Sequence, residues 1–353
     1  MERFVEYYEG FETRPVFETV DEMLQWAGLY NLTKRTLAME LADAGLSPLL
    51  IQELVTVFLA YRASTFSGFL SVSVNGNKST FHRCGERSSQ ESIMAKVSVL
   101  VDLLVQFHWQ DLAEDCGLLK EGNWQMAAGL IDRSEVELHL LEEIESISSK
   151  GEYYELNSTQ RNSYTCDVAV VATPLDELSV QFTPPISIPK RELQHTHATF
   201  VRGLVNPVYF GLNSVAEIPE LVGTIEDPDL PFSSISVLKQ HNENDFTYKI
   251  FSRKPMADAT LDSIFSVRME TIRINWGAYP HYTAPEVFAP FILDGQHLYY
   301  VNAFENAAST METSAAAAEN VARLILSRFF TSGPISLANL SSSSDGGVRH
   351  VDL

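Results

Sequence analysis

Residues 301–326 read VNAFENAASTMETSAAAAENVARLIL, and they form the most unusual stretch of the chain. Polar residues from Ser309 to Glu312 precede a run of four alanines that begins at Ala315. This order predicts a helix over residues 309–330. Small side chains let another group approach the helix backbone, and the first turn of a helix offers unpaired N–H groups to an anion. The alternative is an alanine-rich helix that packs tightly against a sheet.

A short apolar run upstream indicates what this helix packs against. Residues 167–174 read DVAVVATP, in which Asp167 precedes four apolar residues. A continuous run of this kind is typical of a strand covered on both faces in a parallel sheet. It ends at Ala172, Thr173 and Pro174. We therefore predict an α/β sheet with a ligand near the carboxyl end of this strand.

The remaining chain divides into segments of different character. Residues 1–57 are predicted to be helical, with one helix starting at Ser47 and Pro48. Two strands joined by a turn around Gly151 are predicted within 136–156. Residues 181–300 are rich in strand formers and proline, which favours an antiparallel substrate domain inserted between two pieces of a cofactor domain. The segment 58–120 has no clear period, and 331–353 is predicted to be a flexible tail.

Composition excludes several classes of protein. The chain has 353 residues, 45% of them hydrophobic, and a net charge of −21, which disfavours nucleic acid and anionic membrane surfaces as partners. Its three cysteines form no C-x-x-C pair, so neither a zinc site nor a disulfide framework is indicated. We find no secretory signal and no apolar run long enough to span a membrane. Glycosylation sequons occur at Asn31, Asn77, Asn157 and Asn339, and they matter only if the chain is secreted.

The chain lacks the common motifs for phosphate binding, serine hydrolysis and zinc proteolysis. His195 and His197 share one strand face, but no third metal ligand is apparent, so a polar strand face is the favoured interpretation. The acid pairs Glu142-Glu143 and Glu226-Asp227 are interpreted as solvated surface. With no nucleophile or metal site, an organic cofactor is the favoured source of chemistry.

Three blocks together resemble the prenylcysteine oxidase (prenylcysteine lyase) family, and the plant farnesylcysteine lyases in particular. They read EGNWQMAAGLI, DVAVVATPLDELSVQFTPP and YYVNAFENAASTMETSAAAAENVARLI. Further blocks, INWGAYPHYTAPEVFAPFILDG among them, extend the resemblance over about residues 1–57 and 121–353. The resemblance implies an oxidoreductase that uses FAD and oxygen to cleave the thioether of farnesylcysteine or a related prenylcysteine. The products would be cysteine, a prenyl aldehyde and hydrogen peroxide.

The resemblance also implies where the cofactor binds, but it identifies no catalytic residue. Residues matching the family's flavin-contacting segments are Gly122, Asn123, Trp124, Gln125, Ala172, Thr173, Pro174, Asn306, Thr310, Met311 and Glu312. Small residues such as Ala307 and Ala308 would let the backbone come close to the flavin. The apolar content of 200–300 would suit a prenyl tunnel, although any single aromatic there, such as Phe210 or Trp276, is more simply explained as core.

The sequence departs from the family in two places. Its first residues correspond to a point downstream of the glycine-rich βαβ fingerprint, so the expected fold is an incomplete FAD-binding Rossmann-like domain with an inserted α+β substrate domain. Residues 58–120 also lack the family's glycine-rich block. Suitable codons for 91–96, read two nucleotides later, would restore V-N-Y-G-K. Our hypothesis is that roughly 89–120 is the family segment translated out of frame and that 58–88 is intron-derived or otherwise foreign. The segment 58–120 is then expected to be misfolded or disordered.

Two other functions stay open at this stage. The chain could be a truncated, non-catalytic member of the family, which FAD binding would decide. It could also be another flavin amine oxidase-like enzyme, a class that shares the helix start near Thr310 but not the INWGAYPHY block. Family resemblance implies a lysosomal, vacuolar or membrane-associated location, although we recognise no targeting signal in this chain.

Overall fold

A computed structural model describes residues 15–48, 80–81, 124–134, 136–224 and 229–331. The description below concerns these residues.

The first described segment is helical, as predicted. Helix α1 (Val20–Trp26) begins at Thr19, whose hydroxyl accepts from the Glu22 N–H while the Glu22 side chain accepts from the Thr19 N–H. This reciprocal capping box fixes the start of the helix. A 3-10 helix (Tyr30–Lys34) and helix α2 (Leu37–Asp43) follow. The helix predicted to start at Ser47 lies almost entirely outside the described residues.

A four-stranded sheet follows the first helices along the chain. Its order is β5-β4-β3-β7, formed by β3 (Ile144–Ser149), β4 (Tyr154–Ser158), β5 (Ser163–Cys166) and β7 (Gln181–Thr183). Strands β3 and β4 are antiparallel, and Gly151 between them has a φ of 92°, which favours glycine. The predicted turn is thus confirmed. A short pair, β1 (Thr80–Phe81) with β2 (Leu138–His139), and helix α3 (Trp124–Ser134) precede this sheet.

The interpretation of Glu142 as solvated surface is wrong. Glu142 is 5% exposed and accepts hydrogen bonds from Ser158, Asn162 and Tyr164. These donors, with Ser158 the strongest contributor, lower the pKa of Glu142 to about 2. The sequence shows that two acids are adjacent, but it does not show which residues further along the chain donate hydrogen bonds to Glu142. Glu226 and Asp227 lie outside the described residues.

The predicted parallel strand is present, but it is not covered on both faces. Strand β6 (Ala169–Val171) pairs in parallel with β13 (Leu298–Tyr300), and within the described residues this sheet has two strands. Ala169 and Val171 are buried, whereas Val170 between them is 37% exposed. The apolar run predicted the strand correctly, and the exposure of Val170 follows because no described element covers its face.

A five-stranded antiparallel sheet contains most of the strands predicted for 181–300. Its order is β12-β8-β11-β10-β9, formed by β8 (Leu193–Val205), β9 (Leu221–Gly223), β10 (Ser234–Asn242), β11 (Asp245–Ser252) and β12 (Phe265–Pro280). Short 3-10 helices (Pro207–Phe210 and Val215–Glu217) and helix α4 (Asp258–Ile264) connect its strands. A Cβ on Gly203 would lie 2.0 Å from the Val267 carbonyl oxygen, so only glycine fits where β8 meets β12.

The last described element is the helix that opened the sequence analysis. After a 3-10 helix (Val301–Asn306), helix α5 runs over Met311–Thr331, close to the predicted 309–330. Its buried residues Ala316, Ala317, Val321 and Leu324 join a core that also contains α1, β6 and β13. A second core lies between the large sheet and α4. Among the described helices, none is both long and apolar enough to cross a membrane.

Candidate functional site

A cavity of about 450 Å³ lies between the first helices and the start of α5. The first helices contribute four leucines to its lining, and the segment from Phe304 to Thr313 contributes five further residues. Its lining residues are Leu24, Leu29, Leu32, Thr33, Arg35, Thr36, Leu37, Tyr282, Ala284, Glu286, Phe304, Asn306, Ala307, Ala308 and Thr313. A cavity of this size, mostly apolar with a few polar groups, is typical of a small-molecule site.

The start of α5 is capped within the chain. The Thr310 hydroxyl oxygen accepts from the Thr313 N–H at 3.2 Å, and the Thr313 hydroxyl oxygen accepts from the Thr310 N–H at 3.1 Å. The Thr313 hydroxyl in turn donates to the Ala308 carbonyl at 2.9 Å. Two of the N–H groups that we expected to face a ligand are therefore occupied. Met311 and Glu312 are at the first two helical positions, where N–H groups have no intrahelical acceptor.

Asn306 is the most informative polar residue of the cavity wall. It is 6% exposed, and its side-chain N–H group donates to Glu286 Oε2 at 2.5 Å. Its Oδ1 atom is buried without a hydrogen-bond partner among the described residues. Such atoms are rare in folded proteins, because an unpaired buried acceptor costs about 1–3 kcal/mol. A bound molecule with a suitable donor would remove this cost.

A buried charge network lies directly behind Asn306. Arg191 Nε is 2.9 Å from both carboxylate oxygens of Asp176, and Arg191 Nη2 is 3.1 Å from Glu305 Oε2 and 3.2 Å from the Tyr300 hydroxyl. Burial opposes ionisation of Arg191, yet Tyr300, Asp176 and Glu305 together raise its pKa. Burial also raises the pKa of Tyr300 to about 12. Arg191 therefore stays charged, and its contacts join the turn after β6 to the segment that carries Asn306.

The structure brings together only part of the predicted site. Asn306 lines the cavity, and Thr310, Met311 and Glu312 follow it at the start of α5. The cavity is not lined by Ala172, Thr173 or Pro174. Arg191 connects the turn that contains them to the segment before α5, because it donates to both Asp176 and Glu305. Trp124 and Gln125 begin α3. Gly122 and Asn123 lie outside the described residues.

Glu286 and Tyr282 are among the cavity residues that sequence reasoning missed. Glu286 follows a proline in the APEVFAPF run, and a lone acid among apolar residues was the available signal. Tyr282 was hidden among many aromatic residues. Burial and, to a smaller extent, the charge of Glu305 raise the pKa of Tyr282 to about 12, so its phenol keeps its proton at neutral pH.

The two histidines on β8 lie outside the cavity. His195 Nε2 is 2.5 Å from Glu177 Oε1, and His195 Nδ1 is 3.1 Å from Asn275 Oδ1. The Asn275 contact, followed by Glu177, raises the pKa of His195. Burial lowers the pKa of His197. The part of the chain that the structure describes contains no group of three metal-binding side chains around them.

Comparison with known proteins adds to this geometry. The chain is 54% identical to farnesylcysteine lyase of Arabidopsis thaliana over 98% of its own length and 63% of that protein. It is 32% identical to prenylcysteine oxidase 1 of Homo sapiens over 50% of its own length and 37% of that protein. The chain therefore spans less than two thirds of the length of these relatives.

Solved structures are more distant. Putrescine oxidase bound to putrescine is 8% identical, with a TM-score of 0.41, over 76% of this chain and 86% of that one. Cyclohexylamine oxidase from Brevibacterium oxydans is 16% identical, with a TM-score of 0.39, over 58% and 52%. TM-scores this low support no conclusion about the fold or the function of this chain.

The family comparison is decisive by contrast. The family model described as prenylcysteine lyase matches residues 1–79 and 113–334, which is most of the chain. The unmatched residues 80–112 lie within the segment 58–120 that the sequence analysis set apart, but the model also matches 58–79 and 113–120, which that analysis described as unlike the family. Because the family model matches most of it, this chain, with its mixed α/β architecture and a cavity bounded by Asn306, belongs to the prenylcysteine lyase family.

Proposed function

We propose that this chain binds FAD and a prenylcysteine, and that it cleaves the thioether of farnesylcysteine by oxidation. Each turnover would consume one water, which supplies the aldehyde oxygen, and one oxygen molecule as the final acceptor, and it would yield cysteine, a prenyl aldehyde and hydrogen peroxide. The observation that carries the proposal is the cavity of about 450 Å³ whose polar wall is formed by Asn306 and its neighbours. The matching relatives support it. A lysosomal, vacuolar or membrane-associated location is part of the same proposal.

The residues present fit a flavin in three respects. Asn306 has a buried acceptor without a partner, Ala307 and Ala308 leave room for close approach, and the start of α5 offers backbone N–H groups at Met311 and Glu312. With Thr310, these residues would hold the cofactor, supported by the segments at 122–125 and 172–174. When bound, FAD would supply the electron-accepting chemistry that side chains cannot provide.

The apolar wall would bind and desolvate the prenyl chain. Leu24 of α1, Leu29, Leu37 and Phe304 line the cavity, so the prenyl chain would lie here rather than in the tunnel that the resemblance implied for residues 200–300. Each CH₂ group that leaves water there contributes about 0.8 kcal/mol. This burial orients the thioether carbon and excludes bulk water from it. After oxidation, that carbon would react only with a water molecule held in the site.

Tyr282 would act as a neutral hydrogen-bond donor at the cavity wall. Its raised pKa, about 12, keeps the phenolic proton on the oxygen across the physiological range. The O–H group can therefore donate to a polar atom of the substrate without giving up its proton.

The test is turnover with defined substrates. The protein, supplied with FAD, is incubated with farnesylcysteine, and aldehyde and peroxide are measured together. We expect one aldehyde for each peroxide, and no peroxide with putrescine. Peroxide from putrescine but not from farnesylcysteine would instead assign an amine oxidase. Absence of both products, with FAD bound, would contradict the proposed reaction.

A further inference from the structure

We infer that His195, Glu177 and Asn275 form a pH-sensitive clasp, which holds the turn after β6 against the five-stranded sheet more tightly in acid than above neutral pH. Glu177 belongs to that turn, His195 to β8 and Asn275 to β12. The clasp therefore joins three elements that are far apart along the chain.

The clasp lies where the five-stranded sheet joins the rest of the protein. β8 starts at Leu193 and β12 ends at Pro280, and these two residues are paired. One position further out, the His281 N–H donates to the Glu192 carbonyl at 2.8 Å. The chain thus enters and leaves the sheet through a single neck. A side-chain contact at such a neck restrains how the sheet moves relative to the remaining elements.

Two adjacent residues of the turn contact this neck. Asp176 is bonded by Arg191, whose guanidinium keeps its charge across the physiological range. Glu177 Oε1 lies 2.5 Å from His195 Nε2. The same oxygen would lie 3.0 Å from a Cβ on Gly277, so the Glu177 side chain also packs closely on the backbone of β12. One link is therefore permanent, and the other contains a group that titrates near neutral pH.

Both ring nitrogens of His195 face oxygen atoms. Nε2 faces the Glu177 carboxylate, and Nδ1 is 3.1 Å from Asn275 Oδ1. A neutral imidazole has one N–H group and can donate to one of these oxygens, whereas an imidazolium donates to both. The charged form also makes a stronger, charge-assisted bond to the carboxylate. When His195 loses a proton, the Asn275 amide must rotate or two acceptors face each other.

The neighbouring charges act on His195 in the same sense, with one exception. Asn275 and then Glu177 raise the pKa of His195, while burial opposes them. On the same strand, burial and then the charge of His195 lower the pKa of His197, so His197 stays neutral while His195 ionises. The strand on the other side of β8 presents the uncharged Ser252 opposite His197. Glu177 is thus the carboxylate that decides the protonation of His195.

The exposure of the pair sets the size of the effect. The side chains of His195 and Glu177 are 45% and 44% exposed, so water screens their attraction. Because the pKa of His195 is raised above its ordinary value of 6.5, the clasp contributes fully below that pH and is lost as the pH rises through the raised pKa. We therefore expect a change of a few-fold rather than an on–off switch.

The clasp has one consequence for binding, which rests on the proposed function. The turn that carries Glu177 also contains Ala172, Thr173 and Pro174, which the proposed function assigns to the cofactor. A turn that is held more firmly loses less freedom when the cofactor binds. The affinity for FAD should therefore gain more from His195 in acid than above neutral pH.

The first measurement is a histidine titration by NMR on the full chain. The signal of His195 is assigned by its loss in His195→Gln. We expect His195 to titrate above 6.5 in the wild type and at a lower pH in Glu177→Gln, which keeps the size of the side chain but removes its charge. His241→Gln is the control, because it removes an exposed histidine of the same sheet that contacts Thr247. It should leave the titration of His195 unchanged.

The second measurement is FAD affinity by flavin fluorescence at about pH 5.5 and about pH 8, on either side of the ordinary histidine pKa. His195→Gln can still donate one hydrogen bond, but it cannot become charged. The ratio of wild-type affinity to His195→Gln affinity should be about two to five in acid, as for a partly exposed ion pair, and near one at the higher pH. For His241→Gln the ratio should be near one at both.

The outcomes separate the clasp from the proposed function. A His195 pKa that is the same in the wild type and in Glu177→Gln would overturn the clasp. If that pKa responds but the affinity ratio is equal at both pH values, the clasp stands and its effect on the cofactor is overturned. If the wild type binds no FAD at either pH, the proposed function fails, and the titration still decides the clasp.

Discussion

At the scale of single residues, Glu142 makes stability depend on acid pH. Its folded-state pKa, about 2, lies below its ordinary value of 4.5, so its contribution is present above pH 4.5 and is lost as the pH falls towards 2. We expect the thermal midpoint of Glu142→Gln to fall below that of the wild type at pH 7 and to approach it at pH 3. Glu145→Gln, an exposed change on the neighbouring strand, is the control. Equal differences at both pH values would contradict this role.

Arg191 gives a second residue-level prediction. Its side chain is 10% exposed and bonds Asp176, which is 4% exposed. Arg191→Met would leave buried carboxylates without their counter-charge, and we expect a loss of about 3–5 kcal/mol in urea unfolding. Lys150→Met removes a surface ion pair of 3.8 Å and should cost less than about 1 kcal/mol. Similar losses for the two variants would show that the Arg191 network is dispensable.

At the scale of elements, one side chain of α5 joins the two ends of the described chain. Asn320 accepts from the Phe17 N–H at 3.0 Å and donates to the Phe17 carbonyl at 2.9 Å. Asn320→Leu leaves both buried backbone groups unpaired, and each should cost about 1–3 kcal/mol in urea unfolding. Ser314→Ala on the exposed face of α5 serves as the control. A loss no larger than that of the control would mean that apolar packing alone docks α1 on α5.

The elements also show what the sequence could and could not predict. Helix α5 and the turn at Gly151 depend on local signals, namely small and capping residues in the first case and a glycine in the second, so both were predicted. The contacts of Glu286 with Asn306 and of Arg191 with Glu305 join residues 20 and 114 positions apart. No periodicity encodes such pairs. The exposure of Val170 was missed for the same reason, since it depends on which distant elements cover a strand.

At the scale of the whole molecule, the residues that the family model leaves unmatched, 80–112, carry a testable consequence. If residues 89–120, which overlap this unmatched segment, are the family's sequence read out of frame, replacing them with the corresponding segment of the Arabidopsis relative should raise both the unfolding temperature and the affinity for FAD. A natural segment is selected to agree with the surrounding fold, whereas a shifted reading is not. Coding DNA that is incompatible with the shifted reading would contradict the hypothesis, as would a replacement that lowers both quantities.

The central claim is that the wall around Asn306 belongs to a flavin site, and visible absorbance tests it most directly. The purified chain is mixed with FAD, desalted and scanned for the flavin bands. Our account predicts a flavin spectrum that survives desalting in the wild type and is weaker in the Asn306→Leu variant. A colourless wild-type protein would contradict the account, because the cavity would then bind no flavin in this chain.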